Sequence, residues 1–119
     1  MHPNEALIER FYTAFGRLNG DVMNACYSPM ATFEDPAFGK LNYRELTAMW
    51  TMLTSNARDL TVTFGDLVAD EAAGRAHWEA DYTFGATGLP VHNVIDARFT
   101  FRDGKIIRHV DTFDLYRWA

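Results

Sequence analysis

Residues 91–113 read VHNVIDARFTFRDGKIIRHVDTF. Two alternating runs flank Asp103-Gly104, a pair suited to the positive φ angles of a two-residue hairpin loop. A loop of those two residues pairs Arg102 with Lys105, Phe101 with Ile106, Phe99 with Arg108, Arg98 with His109 and Asp96 with Asp111. Directly opposed side chains share a face, which gathers Asp96, Arg98, His109 and Asp111. Two opposed carboxylates repel, and in a dry site one of them keeps its proton toward neutral pH. The other face of the hairpin carries Ile95, Ala97, Phe99, Phe101, Ile106 and Val110. Patterning admits two arrangements. Either the apolar face is the core and the polar set is wet, or the sheet is covered on both faces and the polar set lines a pocket.

Working outward, residues 75–86 alternate in the same way. Ala76, Trp78, Ala80, Tyr82, Phe84 and Ala86 take one face; Arg75, His77, Glu79, Asp81 and Thr83 take the other. Residues 60–69 predict a further strand, bent at Gly65. Residues 31–35 predict a short one ending in Glu34-Asp35-Pro36. Three helices precede or separate these strands. The first spans Pro3 to Leu18, with Leu7, Phe11, Ala14, Phe15 and Leu18 as its apolar stripe and Pro3 in its first turn. The second starts at Asp21 as cap, turns Met23, Cys26 and Tyr27 inward, and ends at Pro29. The third follows the capping box Asn42-Tyr43-Arg44-Glu45, runs to Asn56, and buries Leu46, Met49, Trp50 and Leu53. Helices first and antiparallel strands last is the order of an α+β domain.

The 119 residues suit one domain, 1–119, with a sizeable core. The net charge of −5 disfavours nucleic acid or an anionic membrane as partner. No run of apolar residues is long enough to span a bilayer. The stretch MHPNEALIERF lacks the basic-then-apolar order of a secretory signal. The single cysteine, Cys26, forms no internal disulfide, so the expected location is cytoplasmic. No Gly-rich phosphate loop is present and no close-spaced histidine pair lies on a helix, so neither a cofactor nor a metal is expected.

Arg10-Phe11 to Gly20-Asp21, Ala31-Thr32-Phe33-Glu34-Asp35-Pro36, Ile95-Asp96 and Asp103-Gly104-Lys105-Ile106 together resemble the nuclear-transport-factor-2-like superfamily. Within it, the chain is similar to the SnoaL-like and ketosteroid-isomerase-like enzymes. The resemblance covers nearly the whole chain. It implies three N-terminal helices packed on a strongly curved, mostly antiparallel sheet, forming a cone that encloses a pocket. It further implies a base at Asp35 and a protonated carboxyl donor at Asp96; a neutral Asp in ketosteroid isomerase is itself a standard worked case. The family's oxyanion Tyr falls at Phe11, and Tyr27 is the candidate replacement. Asp96, Arg98 and Asp111 are also similar in kind to the Asp-Arg-Asp set of limonene epoxide hydrolase, with Asp preceding Arg here.

These readings define the candidate site. Asp35, Asp96, Asp111, Tyr27, His109 and Arg98 are the catalytic candidates. Phe11, Trp50, Trp78, Tyr82, His92, Val94 and Phe113 are the candidates for contact with an apolar small-molecule ligand. The expected chemistry is proton transfer on an apolar carbonyl compound, by isomerase, cyclase or hydrolase steps; the alternative is a non-catalytic module that binds an apolar ligand or only dimerises. If the polar face lines the pocket, Ile95, Phe99, Phe101, Ile106 and Val110 are left on the outer face, which predicts a homodimer there.

Overall fold

The computed structural model describes residues 1–84 and 87–113. Helix α1 (Pro3–Gly16) begins with a capping box: His2 Nδ1 accepts the Asn4 N–H at 3.0 Å, and Glu5 accepts the His2 N–H at 2.9 Å. It stops short of Leu18, which is in the left-handed region at φ 57°. Helix α2 (Gly20–Ala25) is capped by Asn19, two residues before the expected Asp21. Tyr27 is therefore no helix residue; it opens strand β1 (Tyr27–Asp35). A short β2 (Gly39–Leu41), not foreseen from sequence, pairs back on β1. Helix α3 (Tyr43–Asn56) starts at the expected Asn42–Glu45 capping box, with both reciprocal bonds formed.

Strands β3 (Thr61–Ala69), β4 (Ala73–Phe84), β5 (Leu89–Arg102) and β6 (Lys105–Thr112) complete a six-stranded sheet in the order β2-β1-β6-β5-β4-β3. Neighbours are antiparallel except β1 and β6, which run parallel. The ladder of β3 is interrupted between Gly65 and Val68, where the bend was expected. The expected strand end at Ala86 lies outside the described residues. The sheet curves over α1 and α3. Its inner face and the helices share one core, with Ile8, Phe11, Tyr12, Phe33, Leu46, Trp50, Phe99 and Ile106 all buried. No helix among the described residues is long and apolar enough to cross a membrane.

The β5–β6 hairpin decides which residues meet inside. Asp103 and Gly104 form the turn at φ 52° and 74°, and Arg102↔Lys105 and Phe101↔Ile106 pair as expected. The next pair is Thr100↔Arg108, so Ile107 is an extra residue, a β-bulge. Beyond it the register is Phe99↔His109, Arg98↔Val110, Ala97↔Asp111 and Asp96↔Thr112. A one-residue slip reverses the faces of everything that follows. The expected cluster therefore splits. His109 and Asp111 turn inward and are buried, whereas Asp96 and Arg98 lie exposed on the outer face. The expected opposed pair Asp96–Asp111 does not exist.

The same slip corrects the face assignment. Ile95, Phe99, Phe101 and Ile106 pack inside, with only Val110 of that set directed outward and half-buried. In place of an apolar patch for a partner copy, the outer face carries polar side chains. His77 bonds Asp96 and Glu79 at 2.9 Å each, and His92 bonds Asp81 at 2.6 Å. His92 and Val94, expected on a pocket wall, sit on this outer side.

Candidate functional site

A cavity of about 360 Å³ opens between α1, α3 and the inner face of the sheet. Its walls are mostly rings and aliphatic chains. Phe15 comes from α1, Met49, Trp50 and Leu53 from α3, Trp78, Ala80 and Tyr82 from β4, and Ile95 from β5; Phe38 and Phe113 also line it. Trp50, Trp78, Tyr82 and Phe113 are thus where the sequence placed them. Phe11 is not on the wall. It is a fully buried packing hub, edge-on to Tyr12, Tyr27, Trp50 and His109 with ring centroids 5.1–5.7 Å away.

Two carboxyls reach the cavity, Asp35 and Asp111. The parallel pairing of β1 with β6 places them. Phe33 is level with His109, and two residues further along each strand, on the same inward face, stand Asp35 and Asp111. Asp35 ends β1 and is half-buried. Its Oδ1 accepts the backbone N–H groups of Ala37 at 3.0 Å and Phe38 at 2.5 Å. Burial raises its carboxyl above the ordinary 3.8; the Phe38 and Ala37 N–H groups pull it down, and the charge of Asp111 raises it further.

Asp111 is anchored from behind by a buried chain of polar groups. The Trp50 indole N–H donates to Tyr27 Oη at 3.0 Å; Tyr27 Oη lies 2.7 Å from His109 Nδ1; His109 Nε2 lies 2.8 Å from Asp111 Oδ1. The proton positions follow from counting donors. An indole only donates, so Tyr27 Oη is an acceptor there. If His109 Nδ1 carried a proton, the Tyr27 hydroxyl hydrogen would have no acceptor among the described residues. With Tyr27 donating to Nδ1, His109 carries its proton on Nε2 and donates it to Asp111 Oδ1, and every hydrogen in the chain from Trp50 to His109 is used. Burial pushes the Tyr27 hydroxyl well above its usual value of 10.0, and its bond to Trp50 opposes this. Tyr27 is therefore committed inside the wall and does not present a hydroxyl to the cavity.

Sequence reading missed one polar lining residue, Asn93 on β5. Its signal was visible: Asn93 has the same parity as Ile95, Ala97 and Phe99, a polar residue on an apolar face. Among the described residues, no group of three or more His, Cys, Asp or Glu side chains is placed to hold a metal ion.

Residues 8–109 match the family described as the SnoaL-like domain. No curated protein sequence matches the chain. Among solved structures, an epoxide hydrolase of M. tuberculosis described as LEH-like shares 20% identity at a TM-score of 0.81, spanning 98% of this chain and 86% of that one. IdmH from Streptomyces antibioticus, a candidate polyketide cyclase, shares 19% at 0.81 over 98% and 96%. TerC, co-crystallised with polyporic acid, shares 16% at 0.79 over 96% and 93%.

Proposed function

The chain belongs to the SnoaL-like domain family, and on that premise we propose that its cavity takes a flat, mainly apolar carbonyl compound and that Asp35 moves a proton on it. A small-molecule catalytic or binding role accompanies family membership; the assignment of acid–base chemistry rests on the pairing of two unlike carboxyls. Asp111 is the fixed one, held by His109. Asp35 is the adjustable one, with a raised pKa and access to solvent for proton exchange. A base gains effectiveness as its pKa rises toward the working pH. The negative charge of Asp111 contributes to that rise, and so tunes Asp35 without touching the reacting atoms. Proton removal from carbon beside a carbonyl is the first step of both isomerisation and aldol-type cyclisation. The same base activates water for hydrolysis.

One observation favours a second reading, a non-catalytic binder. Neither donor expected for a developing oxyanion is available: Asp96 lies on the outer face and Tyr27 is engaged by His109. The two readings separate on carboxyl-carbon NMR titration. Acid–base pairing requires Asp35 to titrate above 3.8 and to move down in Asp111→Asn, a variant that still accepts the His109 N–H. Titration of Asp35 at the ordinary value in both proteins removes the pairing and leaves the binder.

A further inference from the structure

Asp35 and Asp111 line an otherwise apolar cavity, and among the described residues no lysine, arginine or histidine lines it with them. Phe33 is level with His109 on neighbouring parallel strands. Two residues further on, Asp35 and Asp111 share the inward face, their strands about 4.8 Å apart. Each carboxyl has one oxygen engaged. Asp35 Oδ1 accepts the Ala37 and Phe38 N–H groups, and Asp111 Oδ1 accepts the His109 Nε2 proton. The second oxygen is free on both. Asp111 is only 2% exposed, yet its Oδ2, without a partner among the described residues, is not sealed from water and so opens on the cavity. His109 is neutral in the proton assignment above and does not offset the charge of the pair. Phe33 stands two residues before Asp35 on the same face and edge-on to Trp50, ring centroids 5.8 Å apart, and both rings line the cavity.

We propose that the carboxyl end of this cavity binds organic ammonium ions, each a protonated amine on a flat apolar body. An ammonium group has donors and no acceptor, which suits two free carboxyl oxygens that the protein leaves without donors. A cation loses its hydration on entering an apolar slot, and that loss is offset only where an opposite charge meets it. Here the offset comes from charge-assisted hydrogen bonds to the two carboxyls and from the faces of aromatic rings nearby. The cation also favours the ionised form of both carboxyls, relieving the repulsion by which Asp111 raises Asp35. The same pair repels an anion, and a hydrocarbon gains nothing from it. The proposal rests on the reading of this cavity as a ligand site, but not on Asp35 acting as a base.

The matched probes are 2-aminoindane, an alkylamine protonated at neutral pH, and 2-indanol, an uncharged molecule of the same shape. Both are titrated calorimetrically at neutral pH. The expected result is at least about tenfold tighter binding of 2-aminoindane. In the double variant Asp35→Asn, Asp111→Asn, whose amide oxygens still accept the Ala37, Phe38 and His109 protons, the two affinities should come to within about twofold. A measurement on the natural protein needs no variant: bound 2-aminoindane should move the carboxyl-carbon titration of Asp35 to lower pH, and 2-indanol should not. An unmoved Asp35 titration, or a preference that survives in the double variant, overturns the ammonium site and puts the cation elsewhere on the chain. Equal binding of the two probes to the natural protein overturns the ammonium site and leaves the cavity reading standing. Binding of neither probe overturns both.

Discussion

Replacing Tyr27 with Phe removes one oxygen atom and keeps the ring. That oxygen takes the Trp50 indole N–H at 3.0 Å and meets His109 Nδ1 at 2.7 Å. Trp50 is 2% exposed and His109 is fully buried, so neither nitrogen finds water once the hydroxyl is gone. An unpaired buried donor or acceptor costs about 1–3 kcal/mol, so the two together cost about 2–6 kcal/mol. That is a large part of the 5–15 kcal/mol that typically holds a domain folded. The variant should unfold at much lower urea with an unchanged slope, because the surface exposed on unfolding stays the same. The proton count makes a second, independent demand. In the natural protein, long-range ¹H–¹⁵N spectra should show His109 Nδ1 bare and Nε2 protonated; in Tyr27→Phe, Nδ1 loses its donor and the ring is released to change tautomer. A loss below about 0.5 kcal/mol, or a natural protein whose His109 carries its proton on Nδ1, refutes the assignment of the chain from Trp50 to Asp111.

Asn42→Ala removes the side-chain acceptor for the Glu45 N–H at the start of α3, and should cost about 1 kcal/mol in denaturant unfolding. Hydrogen bonds to Asp96 and to Asp81, respectively, raise the pKa values of His77 and His92 above 6.5. With the folded pKa values above the unfolded ones, this contribution is fully present below pH 6.5 and fades as pH rises through the folded values; a double replacement by Gln should flatten that part of the stability–pH curve, and an unchanged curve would contradict the outer-face network. Deleting Ile107 removes the bulge but leaves Thr100↔Arg108, Phe99↔His109 and Ala97↔Asp111 in register, so His109 and Asp111 should stay inward. The deletion variant should still unfold cooperatively by calorimetry, and loss of cooperative unfolding would contradict the assignment of Ile107 as the extra residue.

What sequence reading recovered is local in origin. The Asp103-Gly104 turn, the Asn42–Glu45 capping box, the α1 stripe and the Trp78–Tyr82 face each depend on a few consecutive residues, and each is where it was expected. The misplaced parts depend on distant partners. Met23, Cys26 and Tyr27 fit helical spacing, yet Tyr27 is drawn into the sheet beside Ile106. The doublet Ile106-Ile107 fits an uninterrupted strand, and only pairing with both β5 and β1 makes Ile107 the extra residue. That one residue moved Asp96, Arg98, His92 and Val94 out of the expected site in one stroke, or left them out, while His109 and Asp111 stayed in it. β2 is three residues long, too short for any periodicity to reveal.

The most direct test of the central claim is exchange of the α-hydrogens of bound 1-indanone with deuterated water, followed by NMR in the natural protein and in Asp35→Asn. If Asp35 moves the proton, the natural protein should accelerate exchange, and Asp35→Asn should lose about 10²–10⁴-fold of that acceleration while binding 1-indanone as well as before. Binding of 1-indanone by the natural protein with no acceleration, or acceleration that survives Asp35→Asn undiminished, would contradict it.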